Sequence, residues 1–152
     1  MDLVQRELLQ NPFIRHHVLS GDRSPLRPED RDPAYLYEMR AHARDAWKLA
    51  GEATREQLEA DEVLQDALCY VLVKLGRFAG KVSPSFRAAH PEVPWERLAP
   101  REEWISRPNI DVDLLWGALR DDLPGLADKL DRLVPPLPRT ASDEPEAAAD
   151  TV

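Results

Sequence analysis

The side chains that could act as an acid or a base near neutral pH are few, and none lies after residue 90. The four histidines are His16, His17, His42 and His90. We interpret His42 as a residue on the polar face of its helix and His90 as one that caps or packs at a turn. Histidine is the side chain whose ordinary pKa suits proton transfer at neutral pH. Their spacing matches no metal-binding motif such as HExxH, and the single cysteine excludes a cysteine-rich metal site. We therefore predict no bound metal and no cofactor.

Other common catalytic arrangements are also missing from the sequence. No serine lies in a nucleophile elbow, and no glycine-rich loop is present to hold a phosphate. Carboxylates are plentiful, but Glu102, Glu103, Asp111 and Asp113 are interpreted as solvated faces and helix caps rather than as an acid–base pair. Cys69 lies in an apolar run, which is typical of a small buried hydrophobic residue.

Three tryptophans, Trp95, Trp104 and Trp116, are spaced along the second half of the chain. Each ring can bury roughly 150–250 Å², so we interpret them as anchors of the core or of an interface. Stacking on a nucleobase is the alternative.

Length and charge limit the function classes. The 152 residues suit one domain. The net charge of −8 gives no general attraction to a phosphate backbone, so RNA binding would need a local basic patch. No apolar stretch approaches the ~20 residues that a membrane span requires, and the N-terminus lacks a signal-peptide core. We expect a cytoplasmic protein that makes no membrane contact.

Periodicity and capping signals predict an all-α fold, a compact helical bundle. Asp32-Pro33 is a good helix start, with an N-cap and a proline at the first position, and Gly51 is a good helix end. Thr54 and Gln57 form a capping box. The patterns place helices over residues 32–50, 61–80, 83–89 and 113–119, with a further turn sequence over 123–133. The core is predicted around Leu68, Val71, Leu72 and Leu75.

Turn-forming composition divides the chain into three parts. Residues 1–31 are predicted to be an N-terminal extension and linker, because residues 20–32 are rich in Gly, Pro, Ser and charged types. Residues 32–134 form the predicted helical domain. The acidic, Ala-rich stretch 135–152 cannot bury enough apolar surface to offset its ordering entropy, so a disordered tail is predicted.

The order of several short segments resembles the HepT-like family, within the wider HEPN group of helical nucleases. The resemblance covers roughly residues 32–134 and depends on the segments that begin at Asp32, Leu64, His90, Asp111 and Asp121. It implies a helical homodimer and a metal-independent ribonuclease that acts as the toxin of a toxin–antitoxin pair. The antitoxin of such a pair is a minimal nucleotidyltransferase, which transfers adenylate to a tyrosine near the active site.

The family motif, Arg-x4-6-His-x-Tyr, is incomplete here. Its Arg corresponds to Arg101, but its His position falls on Ser106 and its Tyr position on Pro108. One residue is also missing before Ile110. A serine cannot act as a base near neutral pH, and a proline cannot accept an adenylate. Glu102 stands where the family has Asn, and it would repel RNA beside Arg101.

Three functions remain open from the sequence. The first is a catalytically degenerate HepT-like protein that binds a minimal nucleotidyltransferase. The second is an active RNA endonuclease with a displaced base, His42 or His90. The third is a helical interaction scaffold in which the N-terminal extension makes the contact.

Overall fold

The computed structural model describes residues 8, 10–19, 28–98 and 110–137. In this part of the chain, local capping signals set most helix boundaries. The helices are α1 (Pro12–Leu19), α2 (Pro28–Ala50), α3 (Arg55–Ala60), α4 (Glu62–Lys81), α5 (Pro84–Ala89), α6 (Val112–Gly117) and α7 (Leu126–Leu133), with a π-helical turn (Ala118–Asp122) between α6 and α7. No strand occurs among these described residues. The predicted all-α bundle is confirmed.

The predicted capping residues act as expected. Thr54 accepts a hydrogen bond from the backbone N–H of Gln57, and the Gln57 side chain accepts one from the backbone N–H of Thr54. Ser83 caps α5, and Gly51 ends α2 with a φ of 52°, a left-handed conformation that glycine adopts without steric cost. Asp111 caps α6 by accepting from the N–H groups of Asp113 and Leu114. These boundaries need only neighbouring residues.

The predicted start of the first long helix is wrong by one turn, because α2 begins at Pro28 and Pro33 lies inside it. Asp32 is not an N-cap. Its buried carboxylate accepts hydrogen bonds from the backbone N–H and the hydroxyl of Ser83, at the start of α5. A partner 51 residues away satisfies this carboxylate, so the local sequence could not reveal its role.

The core lies where α2 packs along α4 and against α7. Leu36, Met39, Ala43 and Ala46 of α2 are buried, as the spacing predicts. The side chains that are almost completely buried also come from the other helices and the turns between them: Leu58, Leu68, Val73, Leu75, Phe78, Val82, Leu115, Leu126 and Leu130.

At the surface, Asp131 of α7 pairs with Arg40 at 2.8 Å and with Arg44 at 3.2 Å.

The predicted centre of the core is right for two of its four residues. Leu68 and Leu75 are 0% exposed, whereas Val71 and Leu72 are only half-buried and pack against the edge of the core. Because α4 is apolar on most of its circumference, its sequence does not distinguish the positions that face α2 from their neighbours.

None of the described helices is long and apolar enough to cross a membrane.

Helix α1 is joined to the bundle through Asn11, which is 1% exposed. The Asn11 amide group donates to the Ala34 carbonyl and to Glu38 Oε1, both at 2.9 Å. Its side-chain oxygen accepts from the N–H of Phe13 at 3.0 Å, in the manner of a helix cap. The first described helix therefore packs on the domain. About half of the predicted N-terminal extension (1–31) and residues 138–152 of the predicted tail (135–152) lie outside the described residues. The three-part division therefore stays a prediction.

Replacing Asn11 should destabilise the protein measurably. Asn11→Ala removes three hydrogen bonds and leaves the buried Glu38 without one of its donors, so we expect a loss of about 1–3 kcal/mol in the free energy of unfolding. Urea unfolding followed by circular dichroism measures this loss. Gln10→Ala is the matched control, because Gln10 is the exposed neighbour of Asn11, and it should change the unfolding free energy by less than about 0.5 kcal/mol. Equal stability of the two variants would show that α1 is not held by Asn11.

Candidate functional site

The motif segment, residues 99–109, connects the turn that ends at Leu98 to α6. Arg101, Ser106 and Pro108 lie in this segment, outside the described residues, as do Glu102, Glu103 and Trp104. Their predicted roles stay predictions. The structure does describe the residues on both sides of the segment.

The N-terminal end of the motif segment is attached to the π-helical turn. Arg97 Nη1 lies 3.3 Å from Asp122 Oδ1, and Asp122 is 8% exposed. The next residue, Leu98, is 6% exposed and its N–H donates to the Pro94 carbonyl at 3.0 Å. A buried carboxylate that pairs with an arginine is costly to leave unpaired. This ion pair therefore holds the chain where the motif segment begins.

The C-terminal end of the segment is held by α6. Asp111 caps this helix, as predicted, and Ile110 packs against the core. In the first turn of α6, Asp113 accepts a charge-assisted hydrogen bond from Arg55 of α3. This contact is the largest cause that raises the pKa of Arg55 above its ordinary value. Both ends of the motif segment thus meet the same part of the fold, the α6 helix and the π-helical turn that follows it.

His42 is not on the polar face of its helix, as the sequence suggested. It is 6% exposed, its Nδ1 donates to the Glu38 carbonyl at 2.7 Å, and its ring lies 5.5 Å from that of Phe78. A carbonyl oxygen only accepts hydrogen bonds, so the proton of this bond belongs to Nδ1. The reason for the error is tertiary: α4 covers this side of α2.

His90 packs at a turn and ends α5, as predicted. Its ring lies 4.4 Å from that of Phe86, and its carbonyl accepts a hydrogen bond from the indole of Trp95 at 2.8 Å. Its Nδ1 lies 3.0 Å from Glu92 Oε1. The pKa of Glu92 lies below its ordinary value, first because of a hydrogen bond from its own backbone N–H and then because of His90. The His90 side chain remains 32% exposed and could be reached by a ligand.

The other predicted residues have structural positions. Trp95 is half-buried and packs against the core, which confirms its anchoring role. Cys69 is 3% exposed, and burial, followed by the charge of Asp66, raises the pKa of its thiol above the ordinary value. His16 is exposed on α1, and His17 is half-buried there.

A cavity of about 370 Å³ lies at one end of the bundle. Its wall includes Trp47 from the end of α2, Glu52 from the following turn, Trp116 from α6 and Arg120 from the π-helical turn. Trp47 is 55% exposed and was not singled out from the sequence. The spacing gave no signal of this exposure, because position 47 follows Ala43 by four residues and precedes Ala50 by three, so the helical period would place its ring on the apolar stripe.

Comparison with known proteins supports the resemblance that the sequence suggested. Over 95 residues the chain is 28% identical to "Probable ribonuclease HepT" of Thermococcus cleftensis, an alignment that covers 59% of this chain and 86% of that protein. No family model matches the chain. No solved structure matches it either. The similarity to HepT and the all-helical fold agree, so the predicted resemblance to the HepT-like family is confirmed.

Proposed function

Because the chain is HepT-like, we propose that it is a toxin–antitoxin family protein that has lost ribonuclease activity and acts as the binding partner of a minimal nucleotidyltransferase. The observation that carries this proposal is the motif segment itself. It keeps Arg101 but has Ser106 and Pro108 where the family has the general base and the adenylate acceptor. Cleavage of RNA without a metal needs a base to activate the 2′-hydroxyl, and the segment supplies none.

The described histidines offer little replacement for the lost base. His42 is 6% exposed and its Nδ1 is bound to a backbone carbonyl, so RNA cannot reach it without opening of the bundle. His90 is the stronger alternative, since part of its side chain is exposed. An active endonuclease with His90 as a displaced base is therefore the second candidate function. The helical interaction scaffold is the third.

Assembly is part of the proposal. We expect a homodimer in the cytoplasm that presents its two motif segments to the nucleotidyltransferase. The anchored ends of the segment support a role in binding, because the Arg97–Asp122 and Arg55–Asp113 pairs join it to the same helical region.

The first test is RNA cleavage by the purified native protein in the presence of a chelator. We expect no cleavage of single-stranded RNA above background, alone or with a nucleotidyltransferase encoded beside this gene. Cleavage that His90→Gln abolishes would instead establish the displaced-base enzyme.

The same preparations test the assembly by size-exclusion chromatography with light scattering. The expected masses are those of a homodimer alone and of a stable complex with the nucleotidyltransferase. A monomer that forms no complex would contradict the binding role and favour the scaffold. Mass spectrometry should find no adenylate at position 108, because proline has no hydroxyl group.

A further inference from the structure

We propose that the cavity between the end of α2 and the π-helical turn binds a free amino acid with a large apolar side chain. The cavity volume of about 370 Å³ lies within the range of pockets that hold small organic ligands. Its wall combines apolar surface with an exposed cation and an exposed anion. An apolar amino acid carries the complementary groups, namely an apolar side chain, a carboxylate and an ammonium group. Such a site does not require that the chain also binds a nucleotidyltransferase.

The cavity has an apolar wall that the described chain covers only in part. Trp47 is 55% exposed, although tryptophan is usually well buried. Leu64 and Trp116 are half-buried in the same wall. Behind them Leu58 and Leu68 are 0% exposed, so the wall is supported by the core of the bundle. A ligand side chain that covers this wall would gain the free energy of removing apolar surface from water.

Arg120 supplies a cation for the carboxylate of the ligand. Its guanidinium carbon lies 5.5 Å from the centre of the Trp116 ring, which holds the side chain against the cavity wall. Arg120 is exposed and forms no ion pair within the part of the chain that the structure describes. It lies in the π-helical turn, and single turns of this kind occur frequently at functional sites. A guanidinium in this position can bind a carboxylate through two parallel hydrogen bonds.

Glu52 supplies an anion for the ammonium group. It lies in the turn after α2, where Gly51 adopts a left-handed φ of 52° and donates its N–H to the Trp47 carbonyl at 3.0 Å. Glu52 is exposed, and among the described residues it pairs with no cation, Arg120 included. A carboxylate only accepts hydrogen bonds, so it suits an ammonium group, which only donates them. The indole rings of the same wall also attract a cation.

The two opposite charges together determine the class of ligand. Glu52 would repel an apolar carboxylic acid, and Arg120 would repel an apolar amine. A zwitterion binds both side chains without either repulsion. Because both charges are exposed to water, each contributes modestly to the affinity, and the ligand needs all three of its groups to bind well.

Calorimetric titration of the full chain with L-leucine and L-phenylalanine tests this site. Leucinamide lacks the carboxylate, 4-methylpentanoate lacks the ammonium group, and glycine lacks the apolar side chain. We expect saturable binding of both apolar amino acids, about tenfold tighter than binding of each of these three compounds. No saturable binding of leucine or phenylalanine at millimolar concentration would overturn the proposal. Equal affinities for leucine, leucinamide and 4-methylpentanoate would also overturn it, because the charges would then not be recognised.

Variants of the cavity wall locate the binding. Arg120→Gln should weaken leucine by about tenfold and remove the preference for leucine over leucinamide. Glu52→Gln should weaken leucine to a similar extent and remove the preference over 4-methylpentanoate. Trp47→Ala should weaken leucine and phenylalanine together, because it removes apolar surface that both side chains cover. These three residues are exposed, so their variants should keep the native circular dichroism spectrum.

Three controls match these changes outside the cavity. Arg44→Gln, Glu62→Gln and Tyr70→Ala each remove an exposed side chain of the same type from α2 or α4. All three should bind leucine like the native chain. Native affinity for leucine in both Arg120→Gln and Glu52→Gln would place the binding elsewhere and reject this site.

Discussion

Ser106→His is expected to give the protein ribonuclease activity well above that of the native chain. The substitution supplies a base near neutral pKa at the position that we predict to correspond to the family histidine, in the segment that retains Arg101. A well-placed general base is worth roughly 10²–10⁴-fold in rate. Cleavage of a generic single-stranded RNA should therefore rise by about that factor over the native protein, measured with a chelator present so that no metal contributes.

The matched control is Ser106→Gln, which adds a polar side chain of similar length that cannot act as a base. It should remain silent. Arg101→Gln in the Ser106→His background should remove the gained activity, because a fixed cation stabilises the charge that develops on phosphorus. Glu102→Asn in that background should increase the activity further, since it removes a charge that repels the RNA backbone.

The alignment of the segment to the family pattern is the main variable in this experiment, because we predict that one residue is missing before Ile110. A misplacement of about 1 Å can cost 10²-fold in rate. A variant with one residue inserted after Pro108 is therefore assayed beside the simple revertant. Pro108→Tyr in either background supplies the hydroxyl group that an adenylate transfer needs. If every revertant is silent, the loss of His and Tyr does not explain inactivity, and the scaffold function is favoured.

Phe78→Ala is expected to produce the largest loss of stability. Phe78 is 0% exposed on α4 and lies against the ring of His42. Removal of the ring loses its burial and leaves a cavity between α4 and α2, at a cost of about 3–5 kcal/mol. Since native domains are stable by only about 5–15 kcal/mol, the variant should unfold at a much lower urea concentration. Circular dichroism during urea unfolding measures the shift of the midpoint.

Two substitutions on the same helix calibrate this result. Val63 is 79% exposed, so Val63→Ala should change the free energy of unfolding by less than about 0.5 kcal/mol. Leu72 is half-buried at the edge of the core, so Leu72→Ala should fall between the two. A Phe78→Ala variant as stable as Val63→Ala would contradict the packing of α4 on α2.

The sequence by itself determined the features that depend on neighbouring residues. The capping box of Thr54 and Gln57, the caps at Ser83 and Asp111, and the left-handed Gly51 each need only a few adjacent residues, so the class of fold and most helix ends followed from local physics. The resemblance to the HepT-like family also lay in the linear order of short segments. The prediction that Ser106 and Pro108 replace the family His and Tyr depends on the same order.

The tertiary structure alone decided the features that join distant residues. Asp32 is predicted from the sequence to cap a helix, but it binds Ser83, 51 positions away. His42 is predicted to lie on the polar face of its helix, but α4 covers it. Leu72 is predicted to lie in the core, but it packs at the edge of the core. Trp47 and Arg120 line one cavity although they lie 73 positions apart in the chain. Contacts between such distant residues depend on which helix faces pack together. An amphipathic pattern is compatible with several packing arrangements, and the choice among them depends on the contacts of the whole chain.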